Sequence, residues 1–227
     1  TLPSLVACLG SDGSSDASVQ PPTTGVGGST PSAREVDALL APKAFPYGVA
    51  SGDPEADKLI LWTALKPVNA DVASIPLRLE YVLSSQRLAK ESDWATLFTT
   101  NAVRSLGTFL ALKARDYTVK IDLGNVALYQ GVAFAEGAIT ALPAGQFIYY
   151  RFVAGSQVSR IGRGRTQPAG AAATTANFAV ASCSNLPEGF FGVYDMISQE
   201  DNLDFVVHLG DYLYEYGEDE YGDGSAL

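Results

Sequence analysis

The chain has 227 residues, 47% of them hydrophobic, so it can hold one large or two modest domains and bury a sizeable core. Lys plus Arg number 15 against 25 for Asp plus Glu, a formal charge of −10, which argues against binding nucleic acid or an anionic membrane face by broad electrostatic attraction. No segment reaches the roughly 20 consecutive apolar residues of a membrane-spanning helix.

Residues 1–43 read as an N-terminal tether. Leu5-Val6-Ala7-Cys8 resembles a bacterial lipobox, the cleavage site of lipoprotein signal peptides, which would make Cys8 a lipidated N-terminus and attach the protein to a membrane. The other reading is a chance tetrapeptide in a disordered tail. The Gly/Ser/Thr/Pro tract that follows, GSDGSSDASVQPPTTGVGGSTPS, has almost no apolar content and suits a flexible linker.

Residues 44–168 alternate in the manner of half-buried strands, over Lys58–Thr63, Leu77–Leu83, Tyr117–Leu123 and Phe147–Val153. Gly52-Asp53-Pro54, Lys66-Pro67 and Leu142-Pro143-Ala144-Gly145 punctuate them. The pattern predicts an antiparallel β-sandwich of the immunoglobulin or fibronectin type. Trp62, flanked by Leu59, Ile60 and Leu61, is expected to plug its core rather than to stand exposed for carbohydrate binding. Arg160, Arg163 and Arg165 read as a solvated strand edge. The small residues of 169–176 read as a linker.

Residues 177–227 change character. Phe178–Ala181 and Phe205–Val207 are apolar without alternation, as strands buried on both faces are. Between them Phe190, Val193, Met196 and Ile197 fall at helical spacing, which predicts a crossover helix over about Gly189–Glu200 and a parallel β-α-β unit. Chemistry in such sheets sits past the carboxyl ends of the strands, where Ser182-Cys183-Ser184 and Gly210-Asp211-Tyr212 lie side by side. Beyond them the acidic run Glu218–Asp223 reads as solvated surface; its spacing fails the EF-hand calcium pattern.

Gly210, Asp211 and Tyr214 form GDxxY. A glycine ending a buried strand lets the backbone turn, the next carboxylate can bridge two hard cations, and a tyrosine three residues on can return as a phenolate suited to a ferric ion. Cys183 can add a thiolate from the neighbouring strand end, since a metal deprotonates a coordinating thiol. This ligand reading is preferred for Cys183 over a disulfide with Cys8 or an inert core thiol. His208, the sole histidine, is expected to make supporting or packing contacts, and Tyr212 and Tyr216 to pack. A second enzymatic reading, with Cys183 as nucleophile and His208 as base, leaves Asp211 and Tyr214 unexplained.

The stretches ASCSNLPEGFFGVYDMI and DFVVHLGDYLYEY resemble the start of the catalytic domain of PhoD-like alkaline phosphatases, members of the calcineurin-like metallophosphoesterases alongside the purple acid phosphatases. FPYGVASGDPEADKLILWTAL resembles the opening of the sandwich domain that precedes it, and Tyr149–Phe152 with Gly162–Thr166 resembles that domain's close. Ala64 departs from the family's usual arginine, and Gly124–Thr140 reads as an insertion. The resemblance implies Fe3+ held by Cys183, Asp211 and Tyr214, with Asp211 shared with Ca2+. It also implies a metal-bound hydroxide that hydrolyses a phosphate-ester substrate, monoester or diester, outside the cytoplasm, in a lipoprotein of the bacterial cell envelope or a secreted protein. The family's remaining ligands, including an Asp-Asp-His segment, have no counterpart in these residues, and two strands with one helix do not close a core. The 227 residues are therefore expected to be an inactive part of a longer, monomeric enzyme. The rival from another class is a non-catalytic cell-surface binding module.

Overall fold

The protein is described from a computed structural model covering residues 30–88, 91–99, 102–124, 141–170, 175–185, 190–212 and 214. It is rich in β-structure, with few and short helices. Cys8, the tract before Thr30, Tyr216 and the acidic run Glu218–Asp223 lie outside the described residues.

Two antiparallel sheets share one core. The first has the order β1 (Val49–Gly52), β2 (Leu59–Ala64) and β5 (Thr118–Leu123). The second is built on β3 (Ser74–Ser84), flanked by β4 (Arg104–Leu112) and β6 (Phe147–Ala154). The short strands β7 (Gln157–Val158) and β8 (Gly162–Arg165) both pair with β6, at different points along it.

Alternation decides which side chains meet between the sheets. Leu59 and Leu61 of β2 are opposite Leu123 and Ile121 of β5, and all four are buried. Ile75, Leu77, Leu79 and Tyr81 of β3, Phe109 of β4, and Ile148, Tyr150 and Phe152 of β6 complete the same cluster. Trp62 does not plug this core: it is half-buried, because Leu59, Leu61 and Thr63 take the inward positions of β2 and leave Ile60 and Trp62 on the opposite face.

Strand β4 has no plain period-2 pattern, and pairing with β3 explains why. The register shifts between Leu77 and Leu79, where Leu77 faces Phe109 and Leu79 faces Leu106. Gly107 and Thr108 thus oppose Arg78 alone, a bulge that brings Leu106 and Phe109, three residues apart, onto one face.

Packing begins ahead of Ala44. Helix α1 (Ala33–Asp37) opens on a capping box in which Ser32 Oγ accepts from Glu35 N at 3.4 Å and Glu35 Oε2 accepts from Ser32 N at 2.7 Å. Its Val36, with Leu40 after it, enters the shared core. Asp37 Oδ1 then accepts from Ser156 N at 2.8 Å, beside Gly155 at φ +56. A Cβ on Gly155 would come within 2.1 Å of that oxygen, so only glycine fits this turn.

The outer face of the second sheet is covered by the segment around α2 (Glu91–Leu97). Trp94 packs tilted against Tyr149 with ring centroids 5.5 Å apart, and Leu88 N donates to Tyr149 Oη at 2.7 Å. These contacts bury Tyr149 although it points away from the core between the sheets.

The last part of the chain pairs β9 (Phe178–Ala181) with β10 (Phe205–His208) in parallel, Phe205 beside Phe178 and His208 beside Ala181. The crossover helix α3 spans Gly192–Ser198, shorter than its apolar spacing predicts. The expected burial on both faces is corrected: Phe178 is 52% exposed, Phe205 48%, and Met196 of α3 71%. Only Ala181 of the pair is buried, because no second layer among the described residues lies over these strands.

The arginines of β8 are not a solvated edge. Arg165 Nη1 donates to Asp204 Oδ1 at 3.3 Å and Arg163 Nη2 to Leu203 O at 3.2 Å. Arg87, just past β3, donates to Leu203 O at 3.0 Å and pairs with Asp204 Oδ1. Asp204 Oδ2 meanwhile accepts from Asn177 N at 3.0 Å, and Asp204 N donates to Asn177 O at 2.7 Å. One carboxylate therefore ties the amino-terminal ends of both parallel strands to the two-sheet unit, leaving their carboxyl ends free to carry loops.

Candidate metal centre

At those carboxyl ends the two loops are laced by backbone hydrogen bonds. Leu209 N donates to Ala181 O at 2.9 Å, Cys183 N to Gly210 O at 3.2 Å, Ser184 N to Asp211 O at 3.0 Å, and Tyr214 N to Ser184 O at 3.2 Å. The lacing requires sharp turns. Cys183 has φ +54, Gly210 +115 and Asp211 +50, so both loops pass through the left-handed region where side chains other than those of Gly, Asn and Asp are disfavoured. Strained backbone of this kind is held only where surrounding contacts over-determine it, and it concentrates at functional sites.

The result is convergence on one oxygen. Asp211 Oδ2 accepts from the Tyr214 hydroxyl at 2.6 Å and from Cys183 Sγ at 3.5 Å. All three expected ligands, from two separate loops, thus meet at a single point. Asp211 and Cys183 are exposed.

The Asp211 carboxylate, and then the Cys183 thiol beside it, push the Tyr214 phenol well above the ordinary tyrosine range. The hydrogen bond donated by the Tyr214 hydroxyl to the carboxylate holds the two side chains together. This donor set fits a highly charged cation, which would replace the proton and draw a phenolate, a carboxylate and a thiolate toward itself. Among the described residues no group of three His, Cys, Asp or Glu is poised to hold a metal. A centre here depends on the tyrosine.

His208 lies beside the cluster and outside it. Its Nε2 is 2.8 Å from Tyr194 Oη and its Nδ1 accepts from Gly210 N at 3.3 Å. Both ring nitrogens are therefore occupied, and Cys183 Sγ turns to Asp211 instead, so the pairing needed for a Cys183 nucleophile with His208 as base is not made. Cys183 carries a free thiol. Tyr212 is largely exposed, its ring 5.2 Å from His208 and 5.9 Å from Tyr194. Tyr194 itself gave no sequence signal: it lies 14 residues before its histidine partner, and only the parallel pairing of β9 and β10 with α3 between them brings the two together.

Comparison with known families places the chain in a phosphatase class. Two models of one family match the chain in the family's order, the PhoD-like phosphatase N-terminal domain over residues 30–134 and the PhoD-like phosphatase over residues 178–227. The chain belongs to the PhoD-like phosphatase family. It is similar to alkaline phosphatase D of Bacillus subtilis (strain 168), with 34% identity over 190 residues that take in 82% of this chain and 28% of that protein. Among solved structures it is similar to the structure of PhoD, with a TM-score of 0.58 and 29% identity, over 78% of this chain and 30% of that one. It thus spans under a third of the length of either relative.

Proposed function

We propose that the chain is the leading part of an extracytoplasmic, metal-dependent phosphoesterase that hydrolyses phosphate monoesters or diesters. One observation carries this reading: Cys183 Sγ and Tyr214 Oη meet at Asp211 Oδ2, past the ends of two parallel strands, in a chain of a phosphatase family. In this reading Cys183, Asp211 and Tyr214 would hold Fe3+, and Asp211 would also serve a second cation, Ca2+. Bound cations of this kind polarise phosphoryl oxygens and make water acidic enough to act at neutral pH. The chain's own part is to hold the Asp211 carboxylate in place. The strained turns at Cys183 and Asp211, laced to one another, fix that carboxylate before substrate arrives.

Residues 1–43 serve here as the tether, 44–168 as an immunoglobulin- or fibronectin-like sandwich platform, 169–176 as a linker, and 177–227 as the opening of the metallophosphoesterase domain. The charge of −10 disfavours nucleic acid as a partner. We place the monomeric protein outside the cytoplasm, tethered through a lipid on Cys8 or secreted. Among the described residues no helix is long and apolar enough to cross a membrane. A purely adhesive module would leave the convergence at Asp211 without a role.

The test is turnover of p-nitrophenyl phosphate and bis-p-nitrophenyl phosphate by the intact protein. Asp211→Asn should lower kcat by at least about 100-fold, the scale expected when a group that stabilises transition-state charge is lost. Hydrolysis undiminished in Asp211→Asn would remove the reading.

A further inference from the structure

We propose that His208 and Tyr194 are positioning residues for the Asp211 loop: a neutral His208 protonated at Nε2, together with the Tyr194 hydroxyl, holds the backbone at Gly210 and Tyr212. Directionality in the hydrogen bonds carries this. Gly210 N–H is a donor and points at His208 Nδ1 at 3.3 Å, so that nitrogen must be bare. The ring proton then sits on Nε2 and is donated to Tyr194 Oη at 2.8 Å. Tyr194 passes its own proton on to Tyr212 O at 3.3 Å. Every donor in the chain finds an acceptor in one arrangement only, because the opposite tautomer would set two N–H groups against each other at Gly210.

The two residues these bonds grip flank Asp211 on either side. Across the loop, Cys183 N and Ser184 N take Gly210 O and Asp211 O. The turn at Gly210 (φ +115) and Asp211 (φ +50) is therefore held from both directions, by the neighbouring loop and by the His208–Tyr194 pair. Rings add to the hold, since Tyr194, His208 and Tyr212 lie within 6.0 Å of one another, centroid to centroid. Among the described residues no hydrogen bond joins the Asp211 side chain to the pair. Its aim at Cys183 and Tyr214 follows from where its backbone is fixed.

The consequence for metal binding rests on the metal-centre reading, whereas the hydrogen-bond assignment does not, and two measurements separate them. His208 is the only histidine of the 227 residues, so selective 15N-histidine labelling of the metal-free chain reports it alone. The expected spectrum at pH 8 shows a protonated Nε2 and a bare Nδ1; an Nδ1–H tautomer, an imidazolium or an even tautomer mixture overturns the proposal without any variant. Tyr194→Phe keeps the ring and removes only the hydroxyl. It should mix the tautomers, speed amide exchange at Gly210 by about five-fold, the scale of one lost hydrogen bond, and weaken Fe3+ binding to the intact protein by about ten-fold. Unchanged tautomer and unchanged Gly210 exchange in Tyr194→Phe would sink the positioning role. Wild type that binds no Fe3+ yet shows the Nε2–H form would sink the metal reading and leave the positioning of the loop standing.

Discussion

The two-sheet unit and the parallel strand pair are made from the same kinds of residue and end in opposite states. Phe109 and Phe152 are fully buried, while Phe178 and Phe205 stack on each other with ring centroids 5.2 Å apart and remain about half exposed. Composition does not separate them; a facing layer does. The first unit has two sheets to close on each other, whereas no full layer covers β9 and β10 among the described residues, and Val193 and Met196 of α3 are exposed as well. An apolar strand thus declares that it will be buried without naming what will bury it.

The largest expected effect breaks the first region alone. Phe152→Ala should cost about 4 kcal/mol of unfolding free energy, the scale for deleting a buried phenylalanine, while Phe178→Ala should cost about 1 kcal/mol, the worth of an exposed aromatic pair. Equal losses, read by urea denaturation, would mean that the strand pair has a hidden covering layer. Asp204→Ala attacks the junction instead. It strips the shared carboxylate from Arg87 and Arg165, both partly buried, and should cost about 2–3 kcal/mol. The loss should show as faster proteolysis between Thr166 and Asn177 with the two-sheet unit left intact; unchanged cleavage would show that the salt bridges do not hold the regions together.

Acid should separate the regions by chemistry rather than packing. Tyr214 is pushed up, so a metal must displace its phenol proton, and a cysteine coordinated as a thiolate gives up a proton as well. Binding should weaken as pH falls, by about 100-fold per pH unit where two protons are released per metal, and isothermal titration in buffers of different ionisation enthalpy counts those protons. Affinity independent of pH would mean that neither group is a ligand. The smallest effect lies at the start of the packed chain, where Ser32→Ala removes the cap of α1 and should lower stability by about 1 kcal/mol, with no effect on metal uptake.

Much of this was legible in residue patterns. The parallel strands, the crossover helix between them and the glycine-led turn into Asp211 are local signals, and the structure brings Cys183, Asp211 and Tyr214 to one oxygen. What escaped was non-local. Strand β4 hid because a bulge against β3 breaks its alternation, and Trp62 misled because a large aromatic among apolar neighbours can occupy either face of a strand. Val36 and Leu40 were masked by the polar tract before them, although Ser32 and Glu35 carry the spacing of a capping box. Arg163 and Arg165 resembled surface charge since their partners, Leu203 and Asp204, lie about 40 residues away along the chain.

The central claim is that Cys183, Asp211 and Tyr214 hold one metal ion. Its most direct test is the iron content and visible absorption of the intact protein beside those of Tyr214→Phe, because a phenolate bound to a ferric ion transfers charge to it in the visible range. Wild type should be coloured with iron bound, and the Tyr214→Phe variant should lose the visible band. Iron-loaded wild type whose band survives intact in Tyr214→Phe would contradict it.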